Sequence, residues 1–451
     1  MLSQHLITKP IFDALFEQYQ FTKYNPVSIS MQKILNTLEK KSLDRETAKL
    51  EEFYDQVRER ASSVDNAEGK QQIIIELYEK FFQNAFPRVS DRLGIVYTPV
   101  EIVDFILNSA DYVLQQEFGA GLSNEGVHIL DPFTGTGTFI VQLLKSGLIK
   151  PEDLERKFNS ELHANEIVLL AYYIAAINIE ETYHDLQGGE YKRFDGIVLT
   201  DTFQMFENTG TLNEAMFPEN NQRVTRQKEN SIKVVVANPP YSIRQNSEND
   251  SNKNLRYSEI DSRIQKSYVE YSSSISVSSL YNSYIRAIRW ASDRIEEKGI
   301  VCYVTNGYFI DGKALDGLRK CLVDEFTSVY CFNLRGDNRT SGEQTRKEKG
   351  NVFGQGTRDP VAITLLIKNP NKENDNCVFY HDIGDYLSRR KKLDRISDLD
   401  SVANISWEKI TPNAKCDWIN KRDPAFDKFI PLGNKKIKNL KLYLSFTLQD
   451  Y

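Results

Sequence analysis

Apolar residues in the first 90 positions recur with helical spacing. Two sets follow this pattern, namely Ile11, Leu15, Phe16 and Tyr19, and later Ile73, Ile75, Leu77, Phe81 and Phe82. Residues spaced in this way line one face of an amphipathic helix. Charged residues crowd the stretch between the two sets, from Lys40 to Glu46. The pattern predicts a helical region over residues 1–90, and on its own it indicates no function.

A different pattern begins near Arg92, where short apolar runs alternate with amphipathic stretches. The runs that predict strands are found in GVHILD, GIVLTD, KVVVA, IVCYV and VAITLLIKN. Strands that alternate with helices predict a parallel or mixed sheet with helices on both faces. We therefore predict an α/β domain over residues 91–370, followed by helices and loops over 371–451. Ligands of such sheets bind at the carboxyl ends of the strands.

Composition narrows the class of protein further. A chain of 451 residues predicts two or three domains, and its net charge of −6 requires any nucleic acid to bind through local basic clusters. The five cysteines include no CxxC pair, so neither a metal site nor a disulfide framework is expected. The N-terminus lacks a signal-peptide pattern, and no apolar run is long enough for a membrane span. We expect a cytoplasmic protein without a membrane partner.

A glycine-containing turn follows the first predicted strand. Its candidate cofactor-binding residues are Asp131, Pro132, Thr134, Gly135, Thr136 and Gly137. Glycine lets the backbone approach a ligand closely, and the N-terminus of the next helix offers unpaired N–H groups. Ile140 replaces the third glycine of the dinucleotide fingerprint, and no GxxxxGK(S/T) motif for ATP phosphates occurs. A tight strand-to-helix turn without a ligand is the alternative.

Two acidic residues follow later predicted strands. Glu166 is placed to accept the hydroxyl groups of a ribose. Asp201 is placed to accept a hydrogen bond from the adenine amine of a cofactor, with Phe203 on the ring face. The alternatives are an acid that balances a helix dipole at Glu166 and an ordinary turn aspartate at Asp201.

The motif Asn238-Pro239-Pro240-Tyr241 directly follows the run VVVA. The two prolines fix the backbone and remove two N–H donors, so the Pro239 carbonyl is held rigidly. That carbonyl and the Asn238 side-chain oxygen can each accept one N–H of an exocyclic amine, and Tyr241 offers a face for base stacking. A sulfonium methyl group is already reactive, so catalysis requires placement and preorganised polar groups rather than a strong base. We predict these four residues to be catalytic.

This set of motifs resembles the gamma-type N6-adenine DNA methyltransferases, in which the cofactor motifs precede NPPY. The resemblance implies a Rossmann-like, mixed, seven-stranded sheet and S-adenosylmethionine as cofactor. It nominates Tyr97, Thr98 and Pro99 for packing on the cofactor methionine, and Phe353 for stacking on a flipped adenine. The adenine has to leave the duplex to reach such a site.

A broader resemblance covers nearly the whole chain. Segments such as LSQHLITKPIFDALF, RLGIVYTPVEIVDFI and GNVFGQGTRDPVAITLL resemble the single-polypeptide Type ISP restriction-modification enzymes. The resemblance implies a site-specific adenine DNA methyltransferase acting on double-stranded DNA. It also implies nuclease, helicase and target-recognition domains on one polypeptide. We expect this chain to begin within the helical coupler and to stop near target recognition. Glu68-Gly69-Lys70 lies in a helical pattern and is not interpreted as a nuclease site.

Basic residues are concentrated in a long glycine-rich stretch between two predicted strands. The candidates for DNA contact are Arg335, Arg339, Arg346, Lys347 and Arg358. Long loops are commonly functional or disordered, and interleaved acids such as Glu343 weaken the positive field here. A solvated loop is the alternative.

Three other functions remain open. An NPPY enzyme can act on RNA or on a protein glutamine, and the same motif can serve cytosine N4, where serine often replaces the asparagine. The third possibility is a truncated module that binds the cofactor but has little activity alone.

Overall fold

The computed structural model describes residues 1–15, 21–38, 59, 98–205, 207, 216–241, 257–354, 357–374, 376–419, 421 and 425. Tyr97, the Glu68–Lys70 segment and the apolar set from Ile73 to Phe82 lie outside these residues. No helix within the described ranges is long and apolar enough to cross a membrane.

The N-terminal region is helical where it is described. It contains α1 (Leu2–Leu15), α2 (Phe21–Tyr24) and α3 (Pro26–Leu38). These helices contact a long helix of the α/β domain, α7 (Leu169–Gln187). The Tyr173 hydroxyl lies 2.9 Å from His5 Nδ1, and the Tyr172 hydroxyl accepts from Asn25 Nδ2 at 3.2 Å. Phe12 and Phe21 pack edge-on against the Tyr173 ring at centroid distances of 5.8 and 5.7 Å.

A mixed sheet forms the centre of the α/β domain, as the alternating pattern predicts. Its strands are β1 (His128–Asp131), β2 (Leu162–Glu166), β3 (Ile197–Leu199), β4 (Ile232–Ala237), β5 (Gly299–Asn306), β6 (Ser328–Arg335), β7 (Val361–Lys368), β8 (Val378–Asp382) and β9 (Glu408–Ile410). The spatial order is β3-β2-β1-β4-β5-β7-β6-β8-β9. Strands β1 to β5 pair in parallel, and β7 runs antiparallel to both β5 and β6.

The sheet among the described residues has two strands more than the predicted seven. Both β8 and β9 lie in the segment expected to contain only helices and loops. Strand β8 pairs with β6, and β9 pairs with β8. Strands of five and three residues at a partly exposed sheet edge are too short to give a clear alternation of apolar and polar positions.

Helices cover both faces of the sheet. The remaining α-helices are α4 (Val100–Phe118), α5 (Thr138–Lys145), α6 (Pro151–Arg156), α8 (Pro218–Glu229), α9 (Ser258–Ile264), α10 (Ser283–Arg294), α11 (Asp316–Glu325), α12 (Gly342–Glu348) and α13 (Arg389–Leu399). Val234 and Val236 of β4 belong to one core with α4, α5 and α7, while Val235 belongs to a second core with α9, α10 and α11. A central parallel strand buried on both faces is expected to be continuously apolar, as residues 234–237 of β4 are.

This topology brings the candidate chemistry to one edge. Strand β1 lies between β2 and β4, and all three run in the same direction. The loops after Asp131, Glu166 and Ala237 therefore leave the sheet side by side.

Candidate active site

The loop after β1 is held by hydrogen bonds to its neighbours. Thr134 donates its hydroxyl to the Asp131 carbonyl at 2.8 Å and its backbone N–H to the Asn165 carbonyl at 3.0 Å. The Pro132 carbonyl accepts from the Thr202 hydroxyl at 2.6 Å, which ties this loop to the one after β3. These bonds fix the loop against β2 and against the loop after β3.

The Asp131 carboxyl lies beneath this loop. The residue is fully buried; its Oδ1 accepts from the Phe133 N–H at 3.1 Å, and its Oδ2 has no hydrogen-bond partner among the described residues. Burial raises the pKa of Asp131 to about 8, and the nearby Glu166 adds to the shift. This position indicates a role in shaping the loop.

The two glycines of the loop have different surroundings. Gly135 and Gly137 both have positive φ, of 56° and 89°. A Cβ at Gly135 would meet nothing within 4 Å, so its backbone borders open space. A Cβ at Gly137 would lie 3.2 Å from the Ala175 Cα of α7, and Asn178 of the same helix donates to the Thr136 carbonyl at 3.0 Å. Helix α7 therefore supports the loop from below.

Glu166 closes the opposite side of the loop. Its Oε2 accepts from the Gly135 N–H at 2.8 Å, and its Oε1 accepts from the Val168 N–H at 2.7 Å. Burial raises its pKa to about 7, although these backbone donors oppose the shift. Each carboxylate oxygen retains a lone pair for a further donor.

Asp201 lies at the start of the loop after β3. Its Oδ1 accepts from the Phe203 N–H at 3.0 Å, and its Oδ2 accepts from the Tyr257 hydroxyl at 2.8 Å. Burial raises its pKa to about 6. The Phe203 ring is buried between Phe133 and Tyr257, at centroid distances of 5.4 and 5.3 Å.

Asn238 and Thr98 meet although they are distant in sequence. Asn238 Nδ2 donates to the Thr98 hydroxyl at 3.0 Å, which leaves Oδ1 as an acceptor. Thr98 and Pro99, both buried, directly precede α4, and Pro239 is buried beside the half-exposed Pro240. The structure thus brings two of the three residues nominated before the glycine loop to the NPPY motif.

Tyr241 and Phe353 also lie together. Their ring centroids are 6.0 Å apart with planes inclined at 73°, and Phe353 is held by its N–H bond to Asn351 Oδ1 at 2.9 Å. An edge-to-face pair leaves no room for a base stacked between parallel rings. The rings therefore have to rotate and separate if a base is to lie between them.

Only some of the basic side chains in the stretch that follows β6 are available for contact with DNA. The Arg335 guanidinium pairs with Asp382 at 2.7 Å and also with Asp385, and Arg339 pairs with Asp359 at 2.6 Å. The more exposed side chains are Arg346 at 78%, Arg339 at 55% and Arg358, whereas Lys347 is 40% exposed and lies 3.7 Å from Asp385. Part of the expected loop is helix α12, because residues 343–348 contain neither glycine nor proline.

Comparison with known families finds two matching segments of the chain. Residues 1–69 match the coupler domain of Type ISP restriction-modification enzymes, and residues 69–279 match the N-6 DNA methylase family. A nuclease-deletion mutant of the Type ISP enzyme LlaGI, in complex with a DNA substrate mimic, is 50% identical over 96% of this chain, with a TM-score of 0.87. The chain matches the coupler and methyltransferase part of the Type ISP restriction-modification enzymes.

Two further solved structures support this assignment. The Type ISP enzyme LlaBIII bound to DNA is 47% identical over 97% of the chain, with a TM-score of 0.89. The DrdV–DNA complex is 37% identical over 94%, with a TM-score of 0.85. The present chain spans 35%, 30% and 41% of the LlaGI, LlaBIII and DrdV chains. No curated protein matches it. The chain thus carries a coupler region and a methyltransferase domain of the Type ISP kind.

Sequence reasoning assigned no role to two aromatic residues of this candidate site. Phe133, inside the glycine motif, packs on Phe203, and Tyr257 bonds to Asp201. The position of Phe133 between two candidate residues was an available signal. Tyr257 begins the segment 257–271, whose position after NPPY and content of Ser, Tyr and Arg suggest a place near the same cleft, but its bond to Asp201 depends on the tertiary fold.

Gly137→Ala is expected to weaken cofactor binding and to lower the thermal unfolding temperature. The alanine combines a strained positive φ, costing about 1–3 kcal/mol, with a tight contact against Ala175. Gly147→Ala is the matched control, because Gly147 has a φ of 77° and open space around its Cβ position. Calorimetric titration and thermal unfolding of both variants test this, and equal effects of the two would contradict it.

Proposed function

We propose that this chain transfers a methyl group from S-adenosylmethionine to N6 of adenine in double-stranded DNA, as the modification part of a Type ISP enzyme. The observation that carries the proposal is the Asn238–Thr98 hydrogen bond at the end of β4, beside the glycine loop of β1. This bond orients the Asn238 amide oxygen next to a candidate cofactor pocket, and the two prolines fix the Pro239 carbonyl beside it. We place such an enzyme in the bacterial cytoplasm.

The residues around the glycine loop suit S-adenosylmethionine. Glu166 has lone pairs that can accept from the ribose hydroxyls, and Asp201 has lone pairs that can accept from the adenine amine. The backbone at Gly135 borders open space where the cofactor can approach. Thr98 and Pro99 lie on the side of Asn238, where the methionine end would be held. When bound, S-adenosylmethionine supplies an electrophilic methyl group.

The NPPY residues would bind the target amine. The Asn238 Oδ1 and the Pro239 carbonyl each accept one N–H of the adenine amine, which directs the nitrogen lone pair away from the ring. The bond from Nδ2 to Thr98 keeps the amide oxygen turned toward the substrate. Preorganised acceptors of this kind stabilise developing charge without reorganisation during the reaction.

Tyr241 and Phe353 would hold the flipped base between them after their edge-to-face contact opens. Exposed basic residues in and after α12, Arg346 and Arg358 foremost, would contact phosphates and make binding dependent on salt. Arg335 would contribute less, because two aspartates already pair with its guanidinium.

Radiolabelled S-adenosylmethionine incubated with genomic DNA, RNA or cell protein tests the proposal. Label is expected in DNA, and nucleoside analysis should identify N6-methyladenine. Label in RNA or protein, or N4-methylcytosine in DNA, would replace the proposed substrate. Cofactor binding without transfer to any polymer would favour a module with little activity alone.

A further inference from the structure

Tyr257 connects the chain beyond NPPY to the candidate cofactor pocket. The residue directly precedes α9 and is only 2% exposed. Its hydroxyl donates to Asp201 Oδ2 at 2.8 Å, and its ring packs edge-on against Phe203 at 5.3 Å. Both residues assigned to the cofactor's adenine end therefore touch this one tyrosine.

The two residues after Tyr257 strengthen the same junction. Ser258 donates its hydroxyl to Glu207 at 2.7 Å, and Glu259 donates its backbone N–H to the same carboxylate at 2.9 Å. On the other side, the Arg286 guanidinium lies 5.5 Å from the Tyr257 ring centroid and pairs with Asp261 of α9 at 2.7 Å. The start of α9 is thus fastened to the loop after β3, and the tyrosine ring has little freedom to move.

We propose that Tyr257 is a positioning residue for cofactor binding, whose hydroxyl fixes the Asp201 carboxylate so that it accepts the cofactor's adenine amine. The inference rests on the proposed function. Asp201 Oδ1 is fixed by the Phe203 N–H and Oδ2 by the Tyr257 hydroxyl, so rotation of the carboxylate breaks both bonds. Each oxygen can still accept a second donor, which leaves a place for the amine.

The groups around Asp201 make the proposed effect of Tyr257 on cofactor affinity depend on pH. Burial raises the pKa of Asp201 to about 6, and the carboxylate of Glu207 raises it further. The Tyr257 hydroxyl and the backbone N–H groups of Phe203 and Gln204 lower it by bonding to the charged form. Loss of the hydroxyl therefore raises the pKa of Asp201. As pH falls, the carboxylate becomes protonated at a higher pH in the variant than in wild type, and the protonated oxygen is a poorer acceptor for the cofactor's amine.

Tyr257→Phe tests the inference, because it removes the hydroxyl and keeps the ring that packs on Phe203. We expect the dissociation constant for S-adenosylhomocysteine, measured by calorimetry, to rise on the order of tenfold at pH 6.5. The difference from wild type should narrow at pH 8.5, where Asp201 is ionised in both proteins. In methylation assays the cofactor KM should rise while kcat at saturation changes less than about twofold.

Tyr281→Phe is the matched control. Its hydroxyl donates to Gln265 at 2.8 Å on the surface near α9, so this variant also loses a tyrosine hydroxyl bond, but one that does not involve Asp201. Its cofactor affinity is expected to equal that of wild type at both pH values. Thermal unfolding of both variants establishes that each is folded.

A double-variant cycle separates positioning from general packing. In an Asp201→Asn background, Tyr257→Phe should cause little further loss of affinity, because the carboxylate it acts on is absent. An unchanged affinity of Tyr257→Phe, or an equal loss at both pH values and in the Asp201→Asn background, would overturn the inference while the proposed function stands. Absence of binding to wild type would instead overturn the cofactor assignment itself.

Discussion

Asn238→Ala is expected to reduce methyl transfer to DNA on the order of 10²- to 10³-fold, while the affinity for S-adenosylmethionine stays within about twofold of wild type. The variant removes one of two acceptors for the target amine, and the loops of β1, β2 and β3 that would hold the cofactor remain intact. Single-turnover transfer of labelled methyl to genomic DNA measures the first quantity, and calorimetry measures the second.

Thr98→Val provides a graded comparison for this result. It keeps Asn238 but removes the hydroxyl that accepts from Nδ2 at 3.0 Å, so the amide is no longer held in one orientation. We expect a loss of transfer on the order of tenfold, between wild type and Asn238→Ala. An Asn238→Ala enzyme that methylates at the wild-type rate would refute the assigned chemistry.

Glu166→Ala is expected to weaken S-adenosylmethionine binding on the order of 100-fold, because hydrogen bonds to a charged acceptor are lost and the Gly135 N–H loses its partner. Glu155→Ala is the control, since Glu155 is exposed and, among the residues that the structure describes, forms its ion pair with Lys192 on the surface. Calorimetric titration compares the two variants. A Glu166→Ala affinity equal to that of the control would remove Glu166 from the cofactor site.

The same carboxyl predicts how binding responds to pH. Burial raises the pKa of Glu166 to about 7, and ribose hydroxyls bond best to the ionised form. Affinity should therefore be full above pH 7 and should fall by up to tenfold per pH unit as pH decreases through 7. This component should be absent from Glu166→Ala, which leaves the fall near pH 6 that Asp201 contributes.

The parts of the fold that sequence predicts well are those with strong local signals. The run before Asn238 is continuously apolar, and the following prolines can only terminate a strand, so both β4 and its loop were predictable. The β1 turn was equally clear from its glycines. Strands β8 and β9 were not predicted, because pairing at the sheet edge, rather than local sequence, makes them strands.

The missing parts of the site depend on contacts between distant segments. The hydrogen bond from Asn238 to Thr98 joins residues that only the order of the sheet brings together. The same holds for Tyr257 and Asp201. The ion pair between Arg335 and Asp382 likewise requires β6 and β8 to be neighbours. It makes Arg335 less available for the DNA contact that its charge alone had suggested. The roles assigned to these residues stay predictions.

The contact of the N-terminal helices with α7 bears on where this protein can be divided. Tyr172 and Tyr173 of α7 face those helices. Less than two turns further along α7, Ala175 and Asn178 contact the glycine loop. A fragment beginning at residue 91 would leave a cluster of aromatic rings bare to water on the helix that carries the loop. The border predicted from the sequence is therefore a poor place to divide the protein, and α1 to α3 should unfold together with the α/β domain in one cooperative transition.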